Sequence, residues 1–290
     1  MRRIPETAFS AAAFLFFASA SAACAGAPAA RAEDRGGDLR TAEDRRTFAE
    51  ALFSRGLYKQ AAVEFKRYLE DFPDEKDRAR AAFRLGESLR IDGDREGAAR
   101  AYRLSAEQPG SEFRAKSLFK RASIFADLGR DEAADELFSA LLAENPPSDV
   151  RELALYYHAS CLERLGRSVE ATALLRTLLS DYPSSTIAAY ARLSLARILS
   201  GGGSGSAEAA GLLRELAENP PDPRLGAEAL YLLAFHERAA GDDSAASDAF
   251  AALFSRYPGD MRVPEARLPA AWSFCRAQRM LEALECAAKA

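Results

Sequence analysis

The chain has 290 residues, of which 48% are hydrophobic and 28% are charged, a composition typical of a folded protein. This length suffices for one large domain, two ordinary domains or an array of repeats. The formal net charge is −4, so the chain lacks the net basic surface of a general nucleic-acid binder, and no nucleic-acid partner is predicted.

Residues 1–32 have the three-part pattern of a secretory signal peptide. Arg2 and Arg3 precede the apolar stretch AFSAAAFLFFASASAACAG, and small residues follow it. A buried N-terminal helix is the alternative interpretation. After residue 25 no apolar run approaches the roughly 20 residues of a membrane-spanning helix, so no span is predicted in the mature chain. The pattern predicts an exported protein.

The leader also contains a candidate lipidation site. The sequence SAAC, from Ser21 to Cys24, resembles a bacterial lipobox, in which the cysteine becomes the lipidated first residue. Ser21 stands where that motif usually has leucine. Simple cleavage and lipidation of Cys24 therefore both stay open. In either case we expect residues 33–41 to form a polar tether.

From residue 42 onward, one interval from a glycine to a proline recurs, as in GRSVEATALLRTLLSDYP, Gly166 to Pro183. The glycines are Gly56, Gly93, Gly129, Gly166 and Gly241, with Gln278 as an equivalent position. They are 36 or 37 residues apart, except for one double interval in which GGGSGS, residues 201–206, replaces the missing glycine. A fixed period of this size indicates stacked supersecondary units, each too small to bury its own apolar face, and seven units fit in residues 42–290.

Each unit is predicted to be a pair of helices. Residues 153–165 carry apolar side chains at three- and four-residue steps, glycine then permits a tight turn, and a proline ends the second helix. Small residues are predicted where the paired helices cross. On the second helices these are Ala61, Ala98, Ala134, Ala171 and Ala246, and on the first helices Ala49, Gly86, Ala122, Ala159, Ala196 and Ala234.

The spacing Gly-x-x-x-x-Ala-x-x-x-Phe/Tyr followed by Pro resembles that of the tetratricopeptide repeat family. The long period and the helix endings EDFP, SDYP and SRYP are similar to a bacterial envelope branch. That branch includes the Tol–Pal-associated periplasmic coordinator proteins and the outer-membrane barrel-assembly lipoprotein. The resemblance implies an all-α, right-handed solenoid of about seven repeats, whose first helices line a concave groove. It also implies a location in the periplasm or at the periplasmic face of the outer membrane.

The function implied by the resemblance is a non-catalytic scaffold that binds a partner peptide or domain in this groove. The alternative is a lipid-anchored structural subunit of an outer-membrane assembly or polysaccharide-export machine. No catalytic, metal or cofactor site is predicted, because His158 and His236 lack other ligands at metal-binding spacing and GGGSGS lacks the lysine of a phosphate-binding loop.

Aromatic residues on the first helices are the candidate groove surface. They are Phe83, Phe119, Tyr156, Tyr231, Phe235 and Trp272. Such a row could bind an apolar peptide, or its members could pack between neighbouring helices.

Basic residues at equivalent positions of two repeats form a second candidate feature, a basic strip of Arg80, Arg84, Lys116 and Lys120. Converging cations favour an anionic partner segment, and their charge reversal is expected to leave the fold intact. The alternative is that they pair with nearby acids such as Glu87 and Glu112.

The remaining expectations concern the cysteines, the insertion and the end of the chain. Cys161 is expected to be a buried thiol, and Cys275 and Cys286 pair only if their helices approach. Residues 201–206 are either a hinge or a loop insertion. Because nothing follows the seventh unit, Leu281, Leu284 and Cys286 are expected to lack cover, which predicts self-association or a bound partner.

Overall fold

The computed structural model describes residues 41–108, 110–201 and 207–290, in which the chain forms helices and turns without strands. The predicted signal peptide, the lipidation site at Cys24, the tether up to residue 40 and positions 202–206 of the insertion lie outside these residues. Within them, no helix has both the length and the hydrophobicity needed to cross a membrane.

The described residues form fourteen helices, and each helix packs against the next one in the chain. The seven pairs are α1 (Ala42–Ser54) with α2 (Tyr58–Asp71), α3 (Arg78–Asp92) with α4 (Arg95–Ala106), α5 (Arg114–Asp127) with α6 (Asp131–Ala143), α7 (Ser148–Arg164) with α8 (Ser168–Asp181), α9 (Ala188–Gly201) with α10 (Ala207–Glu218), α11 (Pro223–Ala240) with α12 (Asp243–Arg256), and α13 (Val263–Arg276) with α14 (Met280–Ala288). The predicted all-helical array of about seven pairs is confirmed.

In the six pairs whose turns the structure describes, the turn residue has a left-handed backbone. Gly93 has φ 93°, and its N–H donates to the carbonyl of Arg90, while the N–H of Asp94 donates to the carbonyl of Leu89. These bonds satisfy carbonyls that the end of a helix leaves without partners. Gln278 adopts φ 62° at the equivalent place, so its predicted equivalence to the turn glycines is confirmed.

The small residues predicted at the helix crossings are all buried. Gly86 shows why they are small, since a Cβ atom added there would lie 2.6 Å from the ring of Tyr102 on the paired helix. Large residues four positions after the second-helix alanines are also buried and fill the space towards neighbouring helices: Phe65, Tyr102, Phe138, Leu175 and Phe250. The crossing geometry that the sequence predicted is therefore confirmed.

First helices also contact one another across successive pairs. α5 contacts α7, α7 contacts α9 and α9 contacts α11, whereas no two successive second helices of the described chain make contacts of that extent. From the third to the sixth pair, the first helices are thus closer to one another than the second helices are. We call the surface formed by α1, α3, α5, α7, α9, α11 and α13 the first-helix face.

The cysteines of the described residues are free thiols. Cys161 is buried, as expected, and burial raises its pKa to about 11. Cys275 is exposed and Cys286 is buried, so the disulfide considered for this pair is not formed. The expectation that Cys286 lacks cover is wrong, because its side chain points into the core of the last pairs.

Candidate functional site

One position of each first helix, six residues before the turn residue, changes its chemistry along the first-helix face. When the fifth unit is aligned by the sequence period alone, this position holds Glu50, Glu87, Ser123, Ser160, Arg197, Phe235 and Trp272. In the first two pairs the acid reaches the next first helix, where Glu50 is 3.4 Å from Arg84 and Glu87 is 3.4 Å from Lys120. The face is therefore charged at its N-terminal part and aromatic at its C-terminal part.

Glu87 lies at the centre of the charged part. Its carboxylate accepts a hydrogen bond from the Tyr102 hydroxyl and another from Arg90 at 3.0 Å, besides the ion pair with Lys120. Burial alone would raise the pKa of Glu87, but Lys120, Tyr102 and Arg90 outweigh burial and lower it below its ordinary value. Burial lowers the pKa of Lys120, although Glu87 opposes that shift. The cluster joins the second and third pairs.

The basic strip is not a set of four available cations. The Lys120 side chain is only 16% exposed and that of its partner Glu87 is 14% exposed, so a carboxylate in place of Lys120 would meet a second carboxylate in a largely buried site. In contrast to the expectation from the sequence, we therefore expect charge reversal at Lys120 to destabilise the fold.

The other three members of the strip are more accessible. Arg80 lies 3.6 Å from Glu112 and 4.0 Å from Asp77, in pairs that are partly exposed. Arg84 pairs with Glu50, and its guanidinium carbon lies 4.7 Å from the centre of the Phe53 ring. Lys116 is exposed. The alternative stated in the sequence analysis, that the strip pairs with nearby acids, therefore holds for two of its members. Lys120 pairs with Glu87, and Arg80 pairs with Glu112.

Two predicted groove aromatics pack between helices instead. Phe119 is buried between Phe138 of its own pair and Tyr157 of the next first helix, with ring centroids 6.1 and 5.6 Å away. Phe83 is partly buried and contacts the rings of Tyr102 and Phe113. The prediction that Phe119 forms groove surface is corrected, since stacking of the next pair covers it.

Tyr156 is partly buried at the equivalent position of α7. Burial raises the pKa of Tyr156. It contacts Tyr157 at a ring distance of 5.7 Å. Tyr156 packs against the core shared by the fourth and fifth pairs and is only partly buried.

The C-terminal part of the first-helix face carries two half-buried aromatic side chains and the exposed Trp272. Tyr231 and Phe235 of α11 have ring centroids 4.7 Å apart, and both are half-buried. Burial and the negative charge of Glu265 on α13 raise the pKa of Tyr231 to about 12. Trp272, at the same register on α13 as Phe235 on α11, is 64% exposed. An apolar, partly solvated surface results.

Sequence reasoning missed two further tyrosines of this face. Tyr157 packs against Phe119, and the Tyr190 hydroxyl donates to Asp222 at 3.3 Å. Tyr190 occupies the register position of Arg80 and Lys116, so comparison of all seven repeats at one position would have found it.

The two histidines serve the packing of helices. His158 Nε2 is 2.6 Å from Asp135 Oδ1, and the His158 ring stacks on Phe138. His236 Nδ1 is 3.0 Å from the hydroxyl of Ser200 on the preceding first helix. In the part of the chain that the structure describes, no three His, Cys, Asp or Glu side chains gather as metal ligands.

Comparison with known families supports the repeat interpretation of this geometry. Residues 116–148 and 153–185 match the family model described as the tetratricopeptide repeat. These two segments are similar to tetratricopeptide repeats. They span α5–α6 and α7–α8, the pairs in which the turn glycines and crossing alanines were predicted. No curated protein matches the chain significantly.

Solved structures share the fold over most of the chain. A tetratricopeptide repeat protein from Parabacteroides merdae is 19% identical, with 84% of this chain and 98% of that chain covered and a TM-score of 0.59. PilW, described as a widely conserved type IV pilus biogenesis factor, is 19% identical, with 78% and 98% covered and a TM-score of 0.55. YrrB, described as a protein of these repeats with an unusual peptide-binding site, is 16% identical, with 70% and 97% covered and a TM-score of 0.57. At these identities the likeness shows the fold.

Proposed function

We propose that the protein is a non-catalytic scaffold of the bacterial cell envelope that binds an extended segment of a partner protein along the first-helix face. The tetratricopeptide repeats support a protein or peptide partner. YrrB, which shares the fold, is described as having a peptide-binding site, and this adds support for peptide recognition.

The observation that carries the proposal is the partly exposed aromatic surface formed by Tyr231, Phe235 and Trp272. A large apolar patch on a protein surface usually marks an interaction site, because water contact with it is unfavourable. Aromatic side chains bury much area and lose little conformational freedom, so they suit the anchoring of apolar peptide side chains. We therefore place the apolar part of the bound segment over α11 and α13.

The charged part of the same face determines the direction in which the partner segment binds. Arg80, Arg84 and Lys116 lie on α3 and α5 and keep solvent access. Exposed ion pairs contribute only about 0–1 kcal/mol. A carboxylate of a partner could thus replace Glu50 or Glu112 at little cost and form a bidentate contact with an arginine. The proposed partner segment is acidic towards α3 and α5 and apolar towards α11 and α13.

An envelope location is the second part of the proposal. It is supported by the signal-peptide pattern of residues 1–32 and by the similarity of period and helix endings to envelope repeat proteins. The lipobox-like SAAC favours a second candidate, a lipid-anchored subunit of an outer-membrane assembly or export machine. Radiolabelled palmitate incorporated into the wild-type chain but not into Cys24→Ala would support the anchored form. No incorporation would support the unanchored form.

Site-specific photo-crosslinking tests the groove. A benzoylphenylalanine placed at Tyr231 of the full chain in cells is expected to yield a defined adduct with a partner protein. The matched control is the same residue at Val169, which is 85% exposed on the second helix α8. Adducts of equal yield and identity from both positions, or none from position 231, would contradict binding at the first-helix face.

A further inference from the structure

A second position of the first helices, thirteen residues before the turn residue, changes the sign of its charge along the array. When the fifth unit is aligned by the sequence period alone, this position holds Glu43, Arg80, Lys116, Leu153, Tyr190, Glu228 and Glu265. All of them are exposed or half-buried, including the six that lie in pairs followed by a further pair. The position therefore belongs to the accessible surface of the first-helix face, and we call these seven side chains the outer row.

The outer row is basic in the second and third pairs and acidic in the sixth and seventh. Arg80 and Lys116, at its basic end, are members of the basic strip. Leu153 and Tyr190, which separate this end from the two glutamates, carry no charge at neutral pH. An extended segment that binds along the row therefore meets cations at one end and carboxylates at the other.

A shared arginine leaves the acidic end incompletely neutralised. Arg262 lies 3.0 Å from Glu228 and also donates to both carboxylate oxygens of Asp260, at 2.8 and 2.9 Å. Burial alone would lower the pKa of Arg262, but Asp260 and Glu228 outweigh burial and raise it. One guanidinium thus serves two carboxylates, and the exposed Glu265 adds a third.

The surroundings of the sixth pair add one further charge of each sign. Asp222 caps α11 and accepts a hydrogen bond from the Tyr190 hydroxyl at 3.3 Å. Arg224 is close enough to Asp260 to lower the pKa of that carboxyl, together with Arg262. The four carboxylates and two guanidinium groups named for this region sum to a charge of −2, which favours a cationic side chain of the partner.

Half-buried aromatic rings adjoin the acidic end of the outer row. Tyr231 follows Glu228 by one helical turn on α11, and burial and the charge of Glu265 raise the pKa of Tyr231 to about 12. The ring centroids of Tyr231 and Phe235 are 4.7 Å apart. A lysine or arginine side chain suits this surface, because its aliphatic stem covers the rings while its cation meets the carboxylates and the ring faces.

The separation of the two ends determines a spacing in the partner. The helices α5, α7, α9 and α11 contact one another in turn. With neighbouring helices about 10 Å apart, Lys116 on α5 and Glu228 on α11 are separated by about 30 Å. An extended chain, at roughly 3.3 Å per residue, covers this distance in about nine residues.

We propose that the partner segment carries opposite charges, with an acidic residue bound to Arg80 or Lys116 and a lysine or arginine, about nine residues away, bound to Glu228 or Glu265. The inference rests on the proposed function, an extended segment along the first-helix face, and adds the basic residue and its spacing. Charge complementarity at both ends favours one direction of the segment, since the reversed segment would place like charges together.

Selection from a phage-displayed library of random 15-residue peptides tests this inference, with the protein purified after expression of all 290 residues as the target. We expect the enriched peptides to share an acidic and a basic residue about nine residues apart, in one constant order, with apolar residues beside the basic one. A synthetic peptide of the enriched sequence should bind Glu265→Lys about tenfold more weakly than the wild type, because attraction is replaced by repulsion. The control Glu132→Lys, which reverses an exposed carboxylate on the second helix α6, should bind like the wild type.

The results separate this inference from the proposed function. Enriched peptides that share acidic and apolar residues but no basic residue at that spacing would overturn the inference and leave binding at the first-helix face in place. Equal affinity of the enriched peptide for the wild type and Glu265→Lys would overturn it as well. The absence of any enriched peptide would contradict both. Thermal unfolding of Glu265→Lys should match that of the wild type, since Glu265 is exposed, and Glu265→Gln, which keeps the side-chain shape, should weaken binding less than Glu265→Lys does.

Discussion

The N-terminal and C-terminal parts of the first-helix face differ in chemistry although one repeated backbone carries both. At the same register, Glu50 and Glu87 form ion pairs with the next first helix, whereas Phe235 and Trp272 present aromatic rings. The helix crossings are alike in both parts, with alanine or glycine on one helix and alanine on the other. The crossing residues thus determine how the two helices of a pair pack. The side chains between successive first helices can then differ in chemistry from one repeat to the next.

The largest effect is expected from breaking the buried cluster of the charged part. Glu87→Ala leaves Lys120 largely buried without this carboxylate and removes the acceptor of the Tyr102 hydroxyl. We expect the free energy of unfolding to fall by about 3 kcal/mol, as for the loss of one partner of a buried ion pair. Urea denaturation measures this. Glu112→Ala, which removes an exposed partner of Arg80, should cost less than about 1 kcal/mol. Equal losses of unfolding free energy from Glu87→Ala and Glu112→Ala would contradict the difference assigned to these two ion pairs.

Overpacking a crossing should be the next largest effect, and of similar size in both parts of the array. Ala171→Leu forces α7 and α8 apart and is expected to lower the free energy of unfolding by about 1–3 kcal/mol. Ala98→Leu and Ala246→Leu should do the same. The control Ala173→Leu places the same side chain at an exposed position of α8. An unchanged urea midpoint for Ala171→Leu would show that the crossing tolerates larger residues.

A fall in pH should weaken the stabilisation that the Glu87 carboxylate gives to the charged part of the first-helix face. The folded pKa of Glu87 lies below its ordinary value of 4.5, so the unfolded chain binds the proton first as the pH falls. The stabilisation by the Glu87 carboxylate is complete above that value and is lost as the pH falls through the folded pKa. We therefore expect the stability difference between wild type and Glu87→Gln to shrink on acidification. A difference independent of pH below 4.5 would contradict the assigned pKa direction.

The smallest effect on stability is expected at the aromatic end. Trp272 is mostly exposed, so Trp272→Ala should change the free energy of unfolding by no more than about 0.5 kcal/mol. The same substitution should clearly lower the yield of the adduct formed from position 231. A large loss of stability would mean that Trp272 is part of the core rather than of a binding surface.

The sequence was sufficient for the repeat architecture and insufficient for the burial of individual side chains on the first-helix face. Periodicity predicted seven pairs, the turn at Gln278 and the crossing alanines, because these depend on contacts within one pair. Whether Lys120 or Phe119 is accessible depends on how closely the neighbouring first helices pack against α5. The period of the sequence does not specify that distance. The errors at Lys120, Phe119 and Cys286 all arise where a neighbouring helix or pair covers the residue.

The most direct test of the account is to map where one partner contacts each part of the face. Benzoylphenylalanine is placed at Lys116 in one variant and at Tyr231 in another, and the attachment site on the partner is read by mass spectrometry. The account predicts one partner segment, attached near acidic residues from position 116 and at apolar residues from position 231. Different partners at the two positions, or the reverse order along the segment, would contradict it.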